Sequence, residues 1–243
     1  MSGNDSDRDI RQRGLVPPAR LAACRAVVVG VGAIGRQVAL QLAAVGVPHL
    51  TLYDDDDVGV ENLAPQGYWA ADLGRPKVHA TADVCSKIHP AAVVVPVAER
   101  FRRSTVSPWG HDGDLIVFSC VDSIATRRTI WESVRPYGAC YLDGRMSAEV
   151  IRVLAVGDPP TDTGYATTLF SANEAHVGAC TARSTIYTAS IAAGLMVGQF
   201  SRWLRRLPVT PDQTLNLLAS ELTVSEPDSA RHSSNLRHRG DSS

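Results

Sequence analysis

The chain has 243 residues, 44% of them hydrophobic and 20% charged, and a formal net charge of -1. These values are typical of one large packed domain and exclude a mostly disordered chain. The near-neutral charge provides no basic field, so we expect no nucleic-acid partner. The polar N-terminus predicts no secretory signal, and the apolar stretches are too short for a membrane span. We therefore expect a cytoplasmic protein.

The cysteine and lysine counts add two constraints. Five cysteines are present, an odd number without a Cys-x-x-Cys pair. This pattern argues against a disulfide framework and a four-cysteine zinc site, so no structural zinc is predicted. Only two of the 24 basic residues are lysines, Lys77 and Lys87. A lysine beside a motif therefore merits a functional interpretation, because lysine and arginine differ in chemistry.

Strands and helices alternate along the first part of the chain. Apolar runs predict strands at 25–29, 50–53, 93–97, 114–119 and about 139–142. Helical patterns follow the first strand as far as about 45, and then occupy about 76–88 and 123–137. This order predicts an α/β fold with a doubly wound, mostly parallel, Rossmann-like sheet.

The pattern changes after residue 143. An edge strand is predicted at 150–156, a long helix at 184–206 and a last strand at 214–219, which together form a mixed or antiparallel C-terminal extension. Because no repeat or linker is visible, we predict a single domain over 21–222. A polar arm (1–20) precedes it and a tail (223–243) follows it. Both ends are expected to be poorly ordered unless a partner holds them.

The segment Gly30-x-Gly32-x-x-Gly35 follows the first strand and opens a helix. Glycines there allow a tight turn, and the N–H groups of a helix N-terminus bind phosphate. The alternative is a turn that serves only strand–helix packing. Asp54 closes the second strand about twenty residues later, where a carboxylate accepts hydrogen bonds from ribose hydroxyls in ATP or NAD. The four aspartates at 54–57 repel one another, so we expect a cation beside them.

Two further residues point to phosphate and metal chemistry. Lys77 lies in the first turn of a predicted helix, where a cation opposes the helix dipole unless an anion binds there. The alternative is an exposed surface lysine. Asp122 follows the fourth strand at the edge where open α/β sheets bind ligands. It fits a Mg²⁺ ligand acting with substrate phosphates, or a cap of the next helix.

Taken together, these segments resemble the ThiF/MoeB/HesA family, ATP-dependent enzymes akin to the ubiquitin-activating enzyme. The matching segments are GVGAIG (30–35), LYDDDDVGVENLAPQ (52–66), GRPK (74–77), CVDSIATR (120–127) and the arm at 8–12. The resemblance implies adenylation of the C-terminal carboxylate of a small β-grasp protein, either ubiquitin-like or a sulfur carrier. It also implies ATP and Mg²⁺ as cofactors and a homodimer.

The same resemblance assigns roles to individual residues. Asp54 would hold the ribose, Lys77 the phosphates and Asp122 the Mg²⁺. Arg11 would reach into the nucleotide site of the partner subunit. The remaining residues that we assign to the nucleotide site are Gly30, Gly32, Gly35, Asp56, Asn62 and Gln66.

Cys180 is a candidate for a covalent step after adenylation. It precedes the long helix, in the region where several relatives carry a cysteine that takes the activated acyl group or a sulfur. A helix N-terminus and the adjacent Arg183 would lower the pKa of this thiol. The alternative is a small buried apolar residue, as most free cysteines are.

One departure from the family pattern leaves the activity open. The family segment Asn-Leu-x-Arg-Gln reads Asn-Leu-Ala-Pro-Gln at 62–66, so Pro65 replaces an arginine that would touch the phosphates. Either Arg75 or another arginine supplies that charge, or adenylation is slow or lost. The alternatives are therefore a degenerate dimeric scaffold, or an NAD-dependent oxidoreductase that would leave Lys77 and Asp122 unexplained.

Overall fold

The computed structural model describes residues 8–104, 113–169 and 184–225. Its strands are β1 (Cys24–Val29), β2 (His49–Tyr53), β3 (Val93–Val97), β4 (Asp114–Ser119), β5 (Cys140–Ser147), β6 (Val150–Val156), β7 (Asp212–Asn216) and β8 (Glu221–Ser225). Its helices are α1 (Pro18–Leu21), α2 (Ala33–Val45), α3 (Val60–Gln66), α4 (Lys77–Ile88), α5 (Ile124–Val134) and α6 (Ile186–Leu204). None of these helices is both long and apolar enough to cross a membrane.

All eight strands form one sheet in the order β3-β2-β1-β4-β5-β6-β7-β8. The first five pair in parallel, and β5 through β8 pair antiparallel. The predicted α/β class, with a parallel sheet and an antiparallel extension, is thus confirmed. One core packs α2, α4 and α6 against the sheet, and a second packs α5 against it. The sheet is therefore covered on both faces, which explains the continuous apolar run of β1.

The structure corrects several predicted element boundaries. β6 is not an edge strand, because it pairs with β5 on one side and β7 on the other. β7 ends at Asn216 rather than 219, and the turn that follows leads into β8, which was not predicted. β8 crosses the boundary placed at 222 between domain and tail. β5 runs on to Ser147 instead of ending at 142, because it continues to pair with β6.

The described part of the N-terminal arm is attached to the domain, contrary to the expectation of a poorly ordered segment. Arg8 Nη2 donates hydrogen bonds to the carbonyls of Ala43 (2.7 Å) and Ala44 (3.0 Å). Gln12 Nε2 donates to the carbonyl of Val45 at 2.8 Å. These carbonyls lie in the last turn of α2, where C=O groups lack the usual i+4 donor, and that of Ala43 also accepts a hydrogen bond from the N–H of Gly46 at 3.2 Å. The arm therefore caps α2, and the positive charge of Arg8 lies at the negative end of its dipole.

Candidate nucleotide site

A cavity of about 610 Å³ lies at the end of the sheet where β1, β2, β4 and β5 terminate. It brings together most of the site residues predicted from the sequence. The predicted residues that line it are Gly30, Gly32, Asp54, Asp56, Gln66, Lys77 and Asp122. Elements far apart in sequence thus contribute to one site, because parallel strands place their carboxyl ends at the same edge.

The glycine loop connects β1 to α2. Gly30 has a φ of 86°, and a Cβ there would lie 2.8 Å from the carbonyl oxygen of Cys120. A Cβ at Gly35 would collide with the carbonyl oxygen of Gly30. These two glycines therefore serve the turn itself and its packing. Gly32 is different, because a Cβ there would meet nothing within 4 Å, which leaves its backbone open on the cavity side.

Asp54 joins the end of β2 to the glycine loop. One carboxylate oxygen accepts a hydrogen bond from the N–H of Val31 at 2.7 Å, and the other accepts from the N–H of Asp56 at 3.0 Å. Burial raises the pKa of Asp54 above its ordinary value, against the lowering effect of these hydrogen bonds. A carboxylate has about four acceptor positions. About two acceptor positions of Asp54 therefore remain for ribose hydroxyls in the cavity.

Lys77 begins α4 and is almost fully buried, with 7% of its side chain exposed. Its Nζ lies 2.8 Å from Asp56 Oδ2, so the alternative of an exposed surface lysine is wrong. Arg100 Nε lies 3.2 Å from Asp55 Oδ2. The cation expected beside the acidic run is thus provided twice. We name Asp54, Asp55, Asp56, Lys77 and Arg100 the acidic wall of the cavity.

Asp122 is exposed at the end of β4 and faces the same cavity. It does not cap α5, since the helix is capped by Ser123, whose Oγ accepts a hydrogen bond from the N–H of Thr126 at 3.3 Å. A carboxylate with no capping role beside a phosphate-binding loop fits the donor chemistry that Mg²⁺ prefers. The neighbouring Cys120 also lines the cavity, and burial raises the pKa of its thiol to about 12. This thiol is therefore protonated at neutral pH.

Asn62 and Gln66 occupy different positions on α3. Asn62 Oδ1 accepts a hydrogen bond from the N–H of Gly59 at 2.8 Å, so its side chain caps the start of the helix. It is not among the described residues that line the cavity. Gln66 does line the cavity, and its buried Oε1 has no hydrogen-bond partner in the described chain. Gln66 thus offers a ligand an acceptor, whereas Asn62 contributes only indirectly.

The charge lost at Pro65 is not replaced by Arg75. Arg75 pairs with Asp72 at 3.1 Å and Asp83 at 2.6 Å, and it is not among the described residues that line the cavity. Three other arginines do line it. They are Arg100, Arg127 and Arg145.

Sequence reasoning missed the group at the β5 side of the cavity. Asp143 is fully buried on β5 and forms ion pairs with Arg127, from α5, and with Arg145, whose Nη2 lies 2.8 Å from Asp143 Oδ2. Tyr165 donates a hydrogen bond to Asp143 Oδ2 at 3.0 Å. We name Arg127, Asp143 and Arg145 the basic wall. The signal for it was the segment Asp143-Gly-Arg145 at a strand end, which the prediction cut off by ending β5 at 142.

Two predicted residues lie away from the cavity or outside the described chain. Arg11 is exposed on the arm and is not among the described residues that line the cavity. Its assigned role requires a second subunit. Cys180 falls between the described ranges, so its role stays a prediction.

The fold and the cavity define an α/β protein with a doubly wound sheet and a nucleotide-type cavity at its glycine loop. A family model described as the ThiF family matches residues 7–239. The chain belongs to the ThiF family. This match favours the ThiF family over the alternative of an NAD-dependent oxidoreductase.

Curated relatives match over less than half of their length. The molybdopterin-synthase adenylyltransferase of Salmonella typhimurium is 34% identical over 109 residues, which are 44% of this chain and 43% of that protein. The SAMP-activating enzyme E1 of Haloferax volcanii is 37% identical over 109 residues, which are 44% of this chain and 40% of that protein.

Solved structures agree in fold at low sequence identity. PaaA superposes with a TM-score of 0.74 at 20% identity, and covers 93% of this chain and 74% of its own. Escherichia coli MccB with ATP superposes with a TM-score of 0.72 at 15% identity, and covers 93% of this chain and 72% of its own. These likenesses extend across the antiparallel extension as well as the parallel sheet.

Proposed function

We propose that this chain uses ATP to adenylate the C-terminal carboxylate of a small β-grasp protein, either ubiquitin-like or a sulfur carrier. The observation that carries the proposal is the meeting of the open glycine loop, Asp54, Lys77 and Asp122 in one cavity. The names of the curated relatives support it, since they include adenylyltransferases for molybdopterin synthase and for the sulfur carrier ThiS.

The reaction requires positioning more than covalent chemistry. A carboxylate oxygen of the acceptor forms a bond to the α-phosphorus of ATP, and the bond from that phosphorus to its bridging oxygen breaks. Pyrophosphate leaves with the electron pair, and no proton needs to move. The chain supplies backbone N–H groups at Gly32 and the cation of Lys77 against the charge that grows on the phosphates. Asp54 fixes the nucleotide through its ribose.

Magnesium fits this site through Asp122. When bound with ATP, Mg²⁺ neutralises phosphate charge. The Asp122 carboxylate is exposed toward the cavity and has no role in capping α5, which leaves it able to bind the ion. Mg²⁺ is usually held by one or two carboxylates together with substrate phosphates. We therefore assign Asp122 as the metal ligand of the ATP complex.

We also propose a cytoplasmic homodimer in which Arg11 serves the opposite nucleotide site. The support is the arm itself, because Arg8 and Gln12 attach it to α2 and leave the intervening Arg11 exposed. In a mixed dimer of Arg11→Ala and Asp122→Ala subunits, one site lacks both groups and the other is intact. Activity should be near half of wild type, with almost none in either mutant homodimer. A monomer by light scattering would contradict the proposal.

Cys180 is proposed as the acceptor of the activated group after adenylation. Incubation with a carrier and ATP should then give a thiol-sensitive adduct on non-reducing electrophoresis. Cys180→Ser should abolish that adduct or convert it to a thiol-resistant ester. Full adenylation without any adduct would reduce Cys180 to a structural residue and leave the adenylation proposal intact.

The scaffold alternative keeps one specific observation in its favour, the replacement of the family arginine by Pro65. Arg100 supplies part of the positive charge that is missing at position 65, because this arginine lines the cavity and its Nε lies 3.2 Å from Asp55 Oδ2. Calorimetric titration with ATP and Mg²⁺, and separately with NAD, tests the nucleotide assignment. We expect ATP to bind and NAD to bind far more weakly. Preferred binding of NAD would overturn the proposal.

Pyrophosphate release then separates an enzyme from a scaffold. The assay uses a small β-grasp carrier protein that ends in Gly-Gly. Release that depends on both ATP and the carrier is expected. ATP binding without release would favour the scaffold.

A further inference from the structure

The basic wall is the part of the cavity that the ATP assignments leave unused. Its central carboxylate, Asp143, is fully buried, and Arg127 is 4% exposed. Arg145 donates hydrogen bonds from Nε to Asp143 Oδ2 (2.8 Å) and from Nη1 to the carbonyl of Thr168 (3.0 Å). Both arginines line the cavity. Such a buried ionic group is weak support for stability, so its presence at a cavity invites a functional explanation.

The charges of this wall do not balance. Two guanidinium groups face one carboxylate, which leaves one positive charge in surplus. Burial, and then the nearby Arg145, lower the pKa of Arg127, as expected for a cation held close to another in a desolvated place. The hydroxyls of Tyr141 and Tyr165 lie 3.1 Å apart beside them, and burial raises the pKa of both. These phenols are therefore neutral and supply no compensating charge.

An unused donor accompanies the unbalanced charge. Arg127 Nη2 donates to the carbonyl of Gly144 at 3.1 Å, and Nη1 pairs with Asp143. Arg127 Nε is buried and has no hydrogen-bond partner in the described chain. Buried donors are nearly always satisfied. An unpaired cationic donor in a residue that lines the cavity favours a ligand with an anionic oxygen.

The position of the basic wall indicates which anion of the reaction it binds, the phosphates of ATP or the carboxylate of the acceptor. Lys77 is held at Asp56, beside the end of β2, and Asp54 closes β2 itself. A ribose that meets Asp54 lies near β2, and the phosphates extend from Lys77 toward Asp122 at the end of β4. The basic wall stands on β5, on the opposite side of β1 and β4. Three strand spacings separate β2 from β5, roughly 14 Å, so the two walls can address different ends of the reacting complex.

We propose that the basic wall is the subsite for the acceptor's carboxylate, in which Arg127 and Arg145 bind its anionic oxygens and direct one of them at the α-phosphate. This inference rests on the proposed function and specifies its second substrate. Asp143 keeps the two guanidinium groups together and sets their orientation. The surplus positive charge selects a free carboxylate over an amide.

The test measures peptide binding in the presence of a bound nucleotide. The probes are a heptapeptide that ends in Gly-Gly with a free carboxylate, and the same peptide with a C-terminal amide. The full chain is first loaded with Mg²⁺ and α,β-methylene ATP, which cannot be split at the α-phosphate. Ligand-observed NMR then gives the two affinities. Because a hydrogen-bonded charge pair is lost with the amide, we expect the acid to bind about tenfold more tightly or better.

Variants separate a binding role from a structural one. Arg145→Met removes the surplus charge, keeps most of the volume, and should reduce the preference for the acid to less than about twofold, without weakening nucleotide binding. Arg145→Lys retains a charge and should recover part of the preference. Arg128→Met is the matched control, since Arg128 donates to the carbonyl of Leu169 in the same segment that Arg145 holds through Thr168. It should leave the preference unchanged.

The outcomes are distinguishable. Failure of the wild-type chain to bind the ATP analogue would overturn the proposed function. Binding of the analogue together with equal binding, or no binding, of the two peptides would overturn the carboxylate subsite alone. If Arg145→Met instead weakens the analogue tenfold, the wall is a phosphate subsite and the inference is wrong. If Arg128→Met abolishes the preference equally, the arginines only hold the segment near Thr168, and the inference is again wrong.

Discussion

The two walls of the cavity differ in how they handle charge. The acidic wall has three carboxylates and two cations, and most of its side chains reach solvent. Lys77 is its buried member, with an exposed partner, Asp56. In the basic wall, Asp143 and Arg127 are buried and Arg145 is mostly buried, with 14% of its side chain exposed. One carboxylate lies between two guanidinium groups. Solvent screens the first arrangement, whereas the second depends on internal pairing. Removing one charge from the basic wall should therefore cost more stability than removing one from the acidic wall, whereas phosphate chemistry should depend on the acidic wall.

The largest expected effect is on stability, at Asp143. Asp143→Asn keeps the shape of the side chain but leaves two buried guanidinium groups without a counter-charge. Removing one partner of a buried pair destabilises a protein by about 3–5 kcal/mol. Chemical denaturation should show this loss in the free energy of unfolding.

Asp212→Asn is the control for Asp143→Asn. Asp212 pairs with Arg152 at 2.6 Å in a half-exposed position between β6 and β7. Its loss should cost less than about 1 kcal/mol. If both variants lose the same free energy of unfolding, burial of Asp143 does not make its ion pairs more important for stability than a half-exposed pair.

The second effect is on catalysis, at the acidic wall. Lys77→Ala should lower the rate of ATP–pyrophosphate exchange by about 10²-fold or more. The reason is that the attraction between a cation and the phosphates is strongest in the transition state, where negative charge develops. Lys87→Ala is a matched control on the same helix, since Lys87 is exposed and its Nζ lies 5.4 Å from the ring centre of Trp69. It should retain wild-type exchange. If Lys77→Ala keeps the wild-type rate of exchange, Lys77 does not bind the phosphates in the transition state.

Arg8 tests whether the arm belongs to the folded domain. Arg8→Ala removes two hydrogen bonds to the last carbonyls of α2 and a favourable charge at that helix end. We expect a loss of about 0.5–2 kcal/mol in the free energy of unfolding. Gln12→Ala, which removes one uncharged hydrogen bond to Val45, should cost less. A stability unchanged by Arg8→Ala would mean that the arm contributes nothing to α2.

The smallest effect is expected at Cys120, between the walls. Burial raises the pKa of this thiol to about 12, so at neutral pH it is almost entirely protonated and a poor nucleophile. Cys120→Ala keeps the Cβ that faces Gly35. Exchange should stay within about twofold of wild type, as expected for a group outside the chemistry. A tenfold loss would show that the thiol takes part.

The glycine loop, Asp122 and the acidic wall apart from Arg100 could be predicted because their signals are local. The glycine loop, Asp54, Lys77 and Asp122 each follow or open a regular element, and parallel strands gather such positions at one edge. The prediction of a cation near the aspartates was confirmed for the same reason. The sequence did not show which cation lies beside the aspartates. Lys77 reaches them because residues 74–77 pair through their backbone with 56–58, as in the bridge between Asp57 and Pro76.

The basic wall and the chain's end could not be predicted in the same way. Asp and Gly have low strand propensity, so β5 was ended at 142, whereas its hydrogen bonds to β6 carry it to Ser147. β8 contributes only Leu222 and Val224 as apolar residues, and both are more than half exposed. Its pairing with β7, rather than burial, defines it. Pairing with strands distant in sequence thus sets both the end of β5 and the existence of β8.

Intact mass spectrometry of a β-grasp carrier ending in Gly-Gly, after incubation with this chain, ATP and Mg²⁺, decides whether this chain is an adenylating enzyme. The carrier should gain the mass of one AMP, and hydroxylamine should remove that AMP from the C-terminal carboxylate. The gain should be lost in Lys77→Ala and Asp122→Ala and kept in Lys87→Ala. A carrier that stays unmodified while the wild-type chain binds ATP would contradict adenylation and leave a nucleotide-binding scaffold.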